Sequence, residues 1–137
     1  MAKPDRIERF ELQREFFEKS LARLKEALAQ DESSFVRDSI IQRFETTFEM
    51  AWKTMFRYLA DRGEDVAMKA WAVIPVALES KLIGDAGEWD RMRDYRNDTS
   101  HEYNEAKAIE IAAFVRARAV DLFDALRDEF AKRRSLT

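Results

Sequence analysis

Cysteine is absent from the 137 residues, histidine occurs once, and there are only three glycines and two prolines. The first absence excludes a disulfide framework and every thiolate metal site. A single histidine excludes multi-histidine centres, so neither a metal nor a cofactor is expected. The shortage of glycine and proline argues against a sheet protein, whose tight turns use both, and for long helices with few joints. No apolar run approaches membrane-spanning length, and Met1 to Phe10 is charged, without the apolar stretch of a secretion signal. The expected setting is cytoplasmic, with no membrane contact. A strong charge of one sign is missing too, since the formal net charge is −3. Non-specific nucleic-acid binders carry a basic excess, so any contact with RNA would have to be local.

What the chain does have is apolar periodicity. Hydrophobic residues make up 46% and aromatics 12%, enough for one core in a single domain over residues 1–137. A first helix is predicted from about Asp5 to Ala29, with Pro4 where a helix start tolerates it. Phe10, Phe17 and Leu24 recur every seven residues, with Ile7, Leu21 and Leu28 on the same side. The polar run 30–34 forms the first connection, and Ser33 or Ser34 can cap the next helix. That second helix is predicted from Phe35 to Asp61. Its stripe is Ile41, Phe44, Phe48, Met55 and Leu59, with Trp52 at the edge, and Gly63 is its stop signal.

Residues 70–82 are apolar on most sides and read as a short buried helix that starts near Pro75 or kinks there. Leu82 to Asp85 reads as a turn. A fourth helix is predicted from Ala86 to Asp98, with Trp89, Met92 and Tyr95 inward. The last should run from Asn104 to Lys132, with Ile111, Val115, Leu122 and Leu126 on its inner face. Ala112, Ala119, Phe123 and Phe130 lie beside them, and the basic end 132–134 complements a helix C-terminus. The fold class is all-α, an antiparallel up-and-down bundle of four or five helices.

One segment carries chemistry: residues 93–103, RDYRNDTSHEY. Arg96 and His101 are five apart, which on an unbroken helix separates them by about 140°. They can converge only if the helix ends between them. Asp98, Thr99 and Ser100 favour that break, because their side chains compete for nearby backbone groups. An arginine at the end of one helix and a histidine just before the next suit phosphate chemistry. The guanidinium fork matches phosphate oxygens, and imidazole moves protons near neutral pH. Together they could cleave RNA without a metal, the ribose 2′-OH attacking the adjacent phosphorus. That reaction needs proton handling at two oxygens, which one histidine supplies only if a two-fold homodimer brings two copies into one cleft. The plainer alternative is a structural histidine at a helix start and an arginine that answers a helix dipole.

Arg96-Asn97-x-x-x-His101-x-Tyr103 resembles the Arg-x4-His-x-Tyr motif of HEPN domains. Residues 41–53, IQRFETTFEMAWK, resemble the second-helix signature of nucleotidyltransferase substrate-binding proteins. Glu88-Trp89 and residues 97–105, NDTSHEYNE, are similar to the same branch. The likeness runs from Phe10 to Phe130. It implies a helical bundle that dimerises, and a separate partner, a minimal nucleotidyltransferase. HepT-like relatives in this branch act as toxins with the partner as antitoxin. The resemblance then implies RNA cleavage by Arg96 and His101, AMP attachment at Tyr103, and a polar role for Asn97. The chain departs from the branch around Ala67 to Pro75, where its usual Pro-Arg helix start is missing and Pro75 replaces a commonly polar residue.

Glu45, Glu49 and Lys53 are spaced by four along the second helix. They either line the cleft or grip the partner, or they form an intrahelical ion-pair ladder. Trp52 reads as a core or interface anchor rather than a base-stacking platform. Arg91, Arg93 and Arg96 cluster, but Asp90, Asp94 and Asp98 interleave and nearly cancel them. Three readings remain open: the substrate-binding partner of a two-protein nucleotidyltransferase that handles RNA or a nucleotide, a metal-independent endoribonuclease toxin silenced by AMP at Tyr103, and a plain structural bundle.

Overall fold

The seven-residue recurrence of apolar side chains builds a helical hairpin. Its arms, α1 (Arg6–Leu28) and α2 (Ser34–Asp61), pack along their length in the computed structural model, which describes residues 6–134. Phe17, Leu21, Leu24 and Ala27 of α1 are buried in one core with Ile41, Phe44, Phe48, Met55 and Leu59 of α2. Pro4 and the Ile7 side chain of the predicted stripe lie outside what is described. Thr54, buried in the hairpin, donates to the Met50 carbonyl at 2.6 Å and to the Gln13 carbonyl at 3.3 Å. Ser33 is the cap of α2, accepting from the Val36 N–H at 3.1 Å. The helix stops just before Gly63, whose φ of 88° is the left-handed region that glycine enters without steric cost.

α3 (Ala70–Glu79) does not start at Pro75: it begins five residues earlier and runs through the proline. Proline forfeits the bond to the Trp71 carbonyl, but Pro75 is on the exposed side, where water can serve that oxygen. What holds the helix is the complete burial of Val73, Ile74 and Ala77, packed toward α2 and α4. Nor is α3 buried on most sides. Trp71 is 61% exposed, and Leu78 and neighbouring Met68 are exposed as well.

α4 (Ala86–Thr99) opens on Asp85, whose side chain accepts from the Glu88 N–H, and buries Trp89 and Met92. Tyr95 is half-buried, its ring 4.7 Å from that of Phe114. The last rod is α5 (Glu105–Phe114), a π-helical turn (Val115–Ala119) and α6 (Val120–Arg134), with helical torsions at both joints. The π turn corrects the predicted inner face. A strict 3.6-residue period from Ile111 reaches Leu122. The wider turn takes up one extra residue, so the buried series becomes Ile111, Val115, Ala119, Phe123, Leu126 and Phe130, and Leu122 is only half-buried.

α2 is the central rod of this up-and-down bundle, touching α1, α3, α4 and α5. Phe44, Phe123, Trp89 and Phe48 join its aromatic centre, with ring centroids 5.9–6.4 Å apart. Among the described residues there is no strand, and no helix is long and apolar enough to cross a membrane.

Candidate functional site

The corner between α4 and α5 is made by hydroxyls that end one helix and an amide that starts the next. Thr99 Oγ1 donates to the Arg96 carbonyl and Ser100 Oγ to the Asn97 carbonyl, both at 2.7 Å. These bonds answer carbonyls that the last turn of α4 leaves open. The His101 N–H donates to the Asp98 carbonyl at 3.2 Å, outside the helix. Asn104 then caps α5, its side-chain oxygen accepting from the Lys107 N–H at 2.9 Å. Arg96 therefore sits in the last turn of α4, and His101, Glu102 and Tyr103 form the link before α5.

Arg96 turns toward α2. Its Nε lies 3.3 Å from Glu49 Oε1, and its Nη1 lies 3.9 Å from Glu45 Oε2. That Nε is buried and makes no hydrogen bond, so its closeness to Glu49 is an ion pair without directional bonding. The other Glu49 oxygen accepts from the Trp52 indole N–H at 3.0 Å. Lys53 lies over the Trp52 ring, 5.8 Å from its centre. Glu45 and Glu49 thus face Arg96 across the helix interface instead of forming a ladder with Lys53.

His101 is exposed and lines an open recess of about 460 Å³ with Asp98, Glu102, Tyr103 and Lys107. Tyr103 is half-buried at its edge. Burial raises the Tyr103 pKa above the ordinary tyrosine value, and the negative charges of Asp38 and Glu45 raise it further. Glu45 thereby links the two halves of the site, pairing with Arg96 and acting on the Tyr103 phenol.

Arg96 and Asn97 line a different groove, of about 360 Å³, with Trp52, Lys53 and Trp71 among its other walls. Within one chain, then, Arg96 is brought together with Glu45 and Glu49, and His101 with Tyr103. Arg96 and His101 line these two different recesses. Sequence reasoning missed Met68, Lys69 and Trp71 as members of this groove. The signal was present: positions 71, 75 and 78 form an apolar stripe opposite Val73, Ile74 and Ala77, visible once the helix starts at Ala70.

Over 88 residues the chain is 36% identical to a Haemophilus influenzae protein named Probable ribonuclease HepT, a match covering 58% of this chain and 60% of that relative. A crystal structure from Thermus thermophilus superposes with a TM-score of 0.69 at 37% identity, covering 85% of this chain and 97% of the other. The Haemophilus influenzae protein HI0074, described as the fold of a substrate binding domain of a nucleotidyltransferase, superposes with a TM-score of 0.68 at 23% identity over the same shares. That second likeness speaks to the fold alone. Residues 7–132 match the family described as nucleotidyltransferase substrate binding protein like, and this chain belongs to it.

Proposed function

We propose that this chain is the partner subunit of a two-protein minimal nucleotidyltransferase, and that it presents the α4–α5 corner to that enzyme. One observation carries the reading. His101 and Tyr103 stand on an open recess, while the motif arginine is already answered by Glu45 and Glu49. The corner is accessible to a partner, and within one chain the motif arginine is paired with carboxylates of α2 and lines a recess other than that of His101. The family to which the chain belongs supports the same reading.

Tyr103 is the acceptor in this scheme. Its phenol oxygen attacks the α-phosphorus of ATP, pyrophosphate leaves, and the phenolic proton passes to a base. A phenol that holds its proton more tightly than usual needs that base close by, and Glu45 is the nearby carboxylate of this chain that also touches the motif arginine. The test is co-expression with a minimal nucleotidyltransferase from the same organism. A stable complex, and a mass gain of one adenylyl group that is lost in Tyr103→Phe, are expected. Failure to co-purify would sink the partner reading.

A second reading, a metal-independent endoribonuclease toxin, is favoured by Arg96 and His101 flanking one helix end. It needs a homodimer to gather two motif copies, and RNA phosphate has to compete with Glu45 and Glu49 for Arg96. Its test is RNA cleavage by the purified chain in the presence of a chelator, abolished in His101→Ala. AMP on Tyr103 would then act as the silencing switch, placing an anion beside the recess that holds His101.

A further inference from the structure

We infer that the groove between α2, the first turn of α3 and α4 binds a nucleotide, the base stacked on Trp71 and the phosphate held by Lys53, Lys69 and Arg93. The inference stands apart from the partner reading, because binding is read on the purified chain alone.

Three observations converge on this groove. The first is charge. Lys53, Lys69, Arg93 and Arg96 line it against one carboxylate, Glu49, in a chain whose net charge is −3. This is the local basic surface that the overall composition hides. The second is how little of that charge the protein itself uses. Arg96 is committed to Glu45 and Glu49, but Lys53 makes only its cation–π contact with Trp52. Among the described residues Lys69 has no ion-pair partner. Arg93 reaches only Asp90, at 3.9 Å, and its Nε is buried without a hydrogen bond. A buried guanidinium N–H left unbonded is costly, and a phosphate oxygen near Arg93 would let the fork reorganise to use it.

The third is Trp71. It is 61% exposed, against 8% for Trp52 and 2% for Trp89, so its ring is the indole face the fold leaves uncovered. An aromatic platform beside a track of cations is how proteins hold bases and phosphates together. The start of α3, its cap residue Lys69 with Ala70 and Trp71, forms one wall, and the partial positive charge of the helix end adds to that of the lysines. A purely apolar protein segment would leave Lys53, Lys69 and Arg93 unanswered, which is why the groove is assigned to a nucleotide.

All three tryptophans contribute to intrinsic fluorescence and Trp52 lines the same groove, so the quenching is assigned to Trp71 by titrating Trp71→Ala in parallel. The purified full chain is titrated with a short single-stranded oligoribonucleotide, with AMP, and with inorganic phosphate. Saturable quenching by the oligonucleotide or by AMP is expected, and none by phosphate. Equal affinity for both marks a free nucleotide as the ligand. Tighter binding of the oligonucleotide, weakening steeply with salt, marks a strand. With a labelled oligonucleotide or labelled AMP, Trp71→Ala should weaken binding by roughly five- to a hundredfold. Lys69→Glu should weaken it too and flatten the salt dependence. Both positions are exposed, so folding is not at stake, and a thermal melt checks this. Unchanged binding in Trp71→Ala, or no saturable binding of either nucleotide probe, overturns the proposal. So does a Trp71→Ala variant that loses only its hold on the nucleotidyltransferase.

Discussion

Arg96→Ala would leave Glu45 and Glu49, one turn apart on α2, side by side at the α2–α4 contact with no counter-charge. At an effective dielectric of 20, attraction over the 3.3 Å separation of Arg96 Nε and Glu49 Oε1 is about 5 kcal/mol before opposing terms. Desolvation and the ordering of two long side chains remove most of that. With Arg96 24% and Glu49 30% exposed, solvent screening leaves a net coupling of about 1 kcal/mol, the upper end for exposed pairs. A double-mutant cycle with Glu49→Gln isolates it, since the amide oxygen still accepts from the Trp52 indole. Urea denaturation should show Arg96→Ala costing about 1–2 kcal/mol in the native background. In Glu49→Gln it should cost about 1 kcal/mol less, with the difference shrinking at high salt. The same Glu49→Gln change should strengthen phosphate binding near Arg96, because half of its clamp is gone. A coupling within about 0.3 kcal/mol of zero would refute the reasoning and mean that Arg96 is free in solution.

Tyr103 should ionise above the ordinary tyrosine value near 10, read as phenolate absorbance against Tyr103→Phe, and Glu45→Gln should bring the midpoint partly back. The folded state prefers the neutral phenol, so this contribution is complete below pH about 10 and disappears as pH rises through the folded pKa. Tyr103→Phe should remove that alkaline loss from a stability–pH curve. Asn104→Ala should cost about 1 kcal/mol as the lost cap of α5, with faster hydrogen exchange at the Lys107 amide. Trp89→Ala should cost about 3–5 kcal/mol as a cavity in the aromatic centre, whereas Trp71→Ala should stay within about 0.5 kcal/mol. Similar costs for these two tryptophans in denaturation would contradict the assigned burial.

Much of the bundle was legible because helices announce themselves locally. Phe17, Leu21 and Leu24, and Ile41, Phe44 and Phe48, follow a period that needs no partner to be read. The Ser33–Ser34 pair and Gly63 marked the ends of α2 by their own chemistry, and the structure selects Ser33 as the cap. The corner at Thr99 and Ser100 was readable for the same reason, since those hydroxyls compete for carbonyls within a few residues of themselves. α3 was less legible because its length depends on tertiary burial. Val73, Ile74 and Ala77 hold a helix through Pro75 that local preference would have started later. The exchange of Leu122 for Phe123 came from the π turn, which no periodicity template contains.

Sequence by itself determined the helices, most of their buried faces and the segment bearing Arg96, His101 and Tyr103, because each rests on spacing along one chain. Only the tertiary structure decided which groups meet. It turned Glu45 and Glu49 toward Arg96 on another helix, set His101 in a different recess, and left Trp71 uncovered beside unpaired lysines. Those outcomes depend on how rods pack around α2, and contacts between residues far apart in the chain leave no period in the sequence.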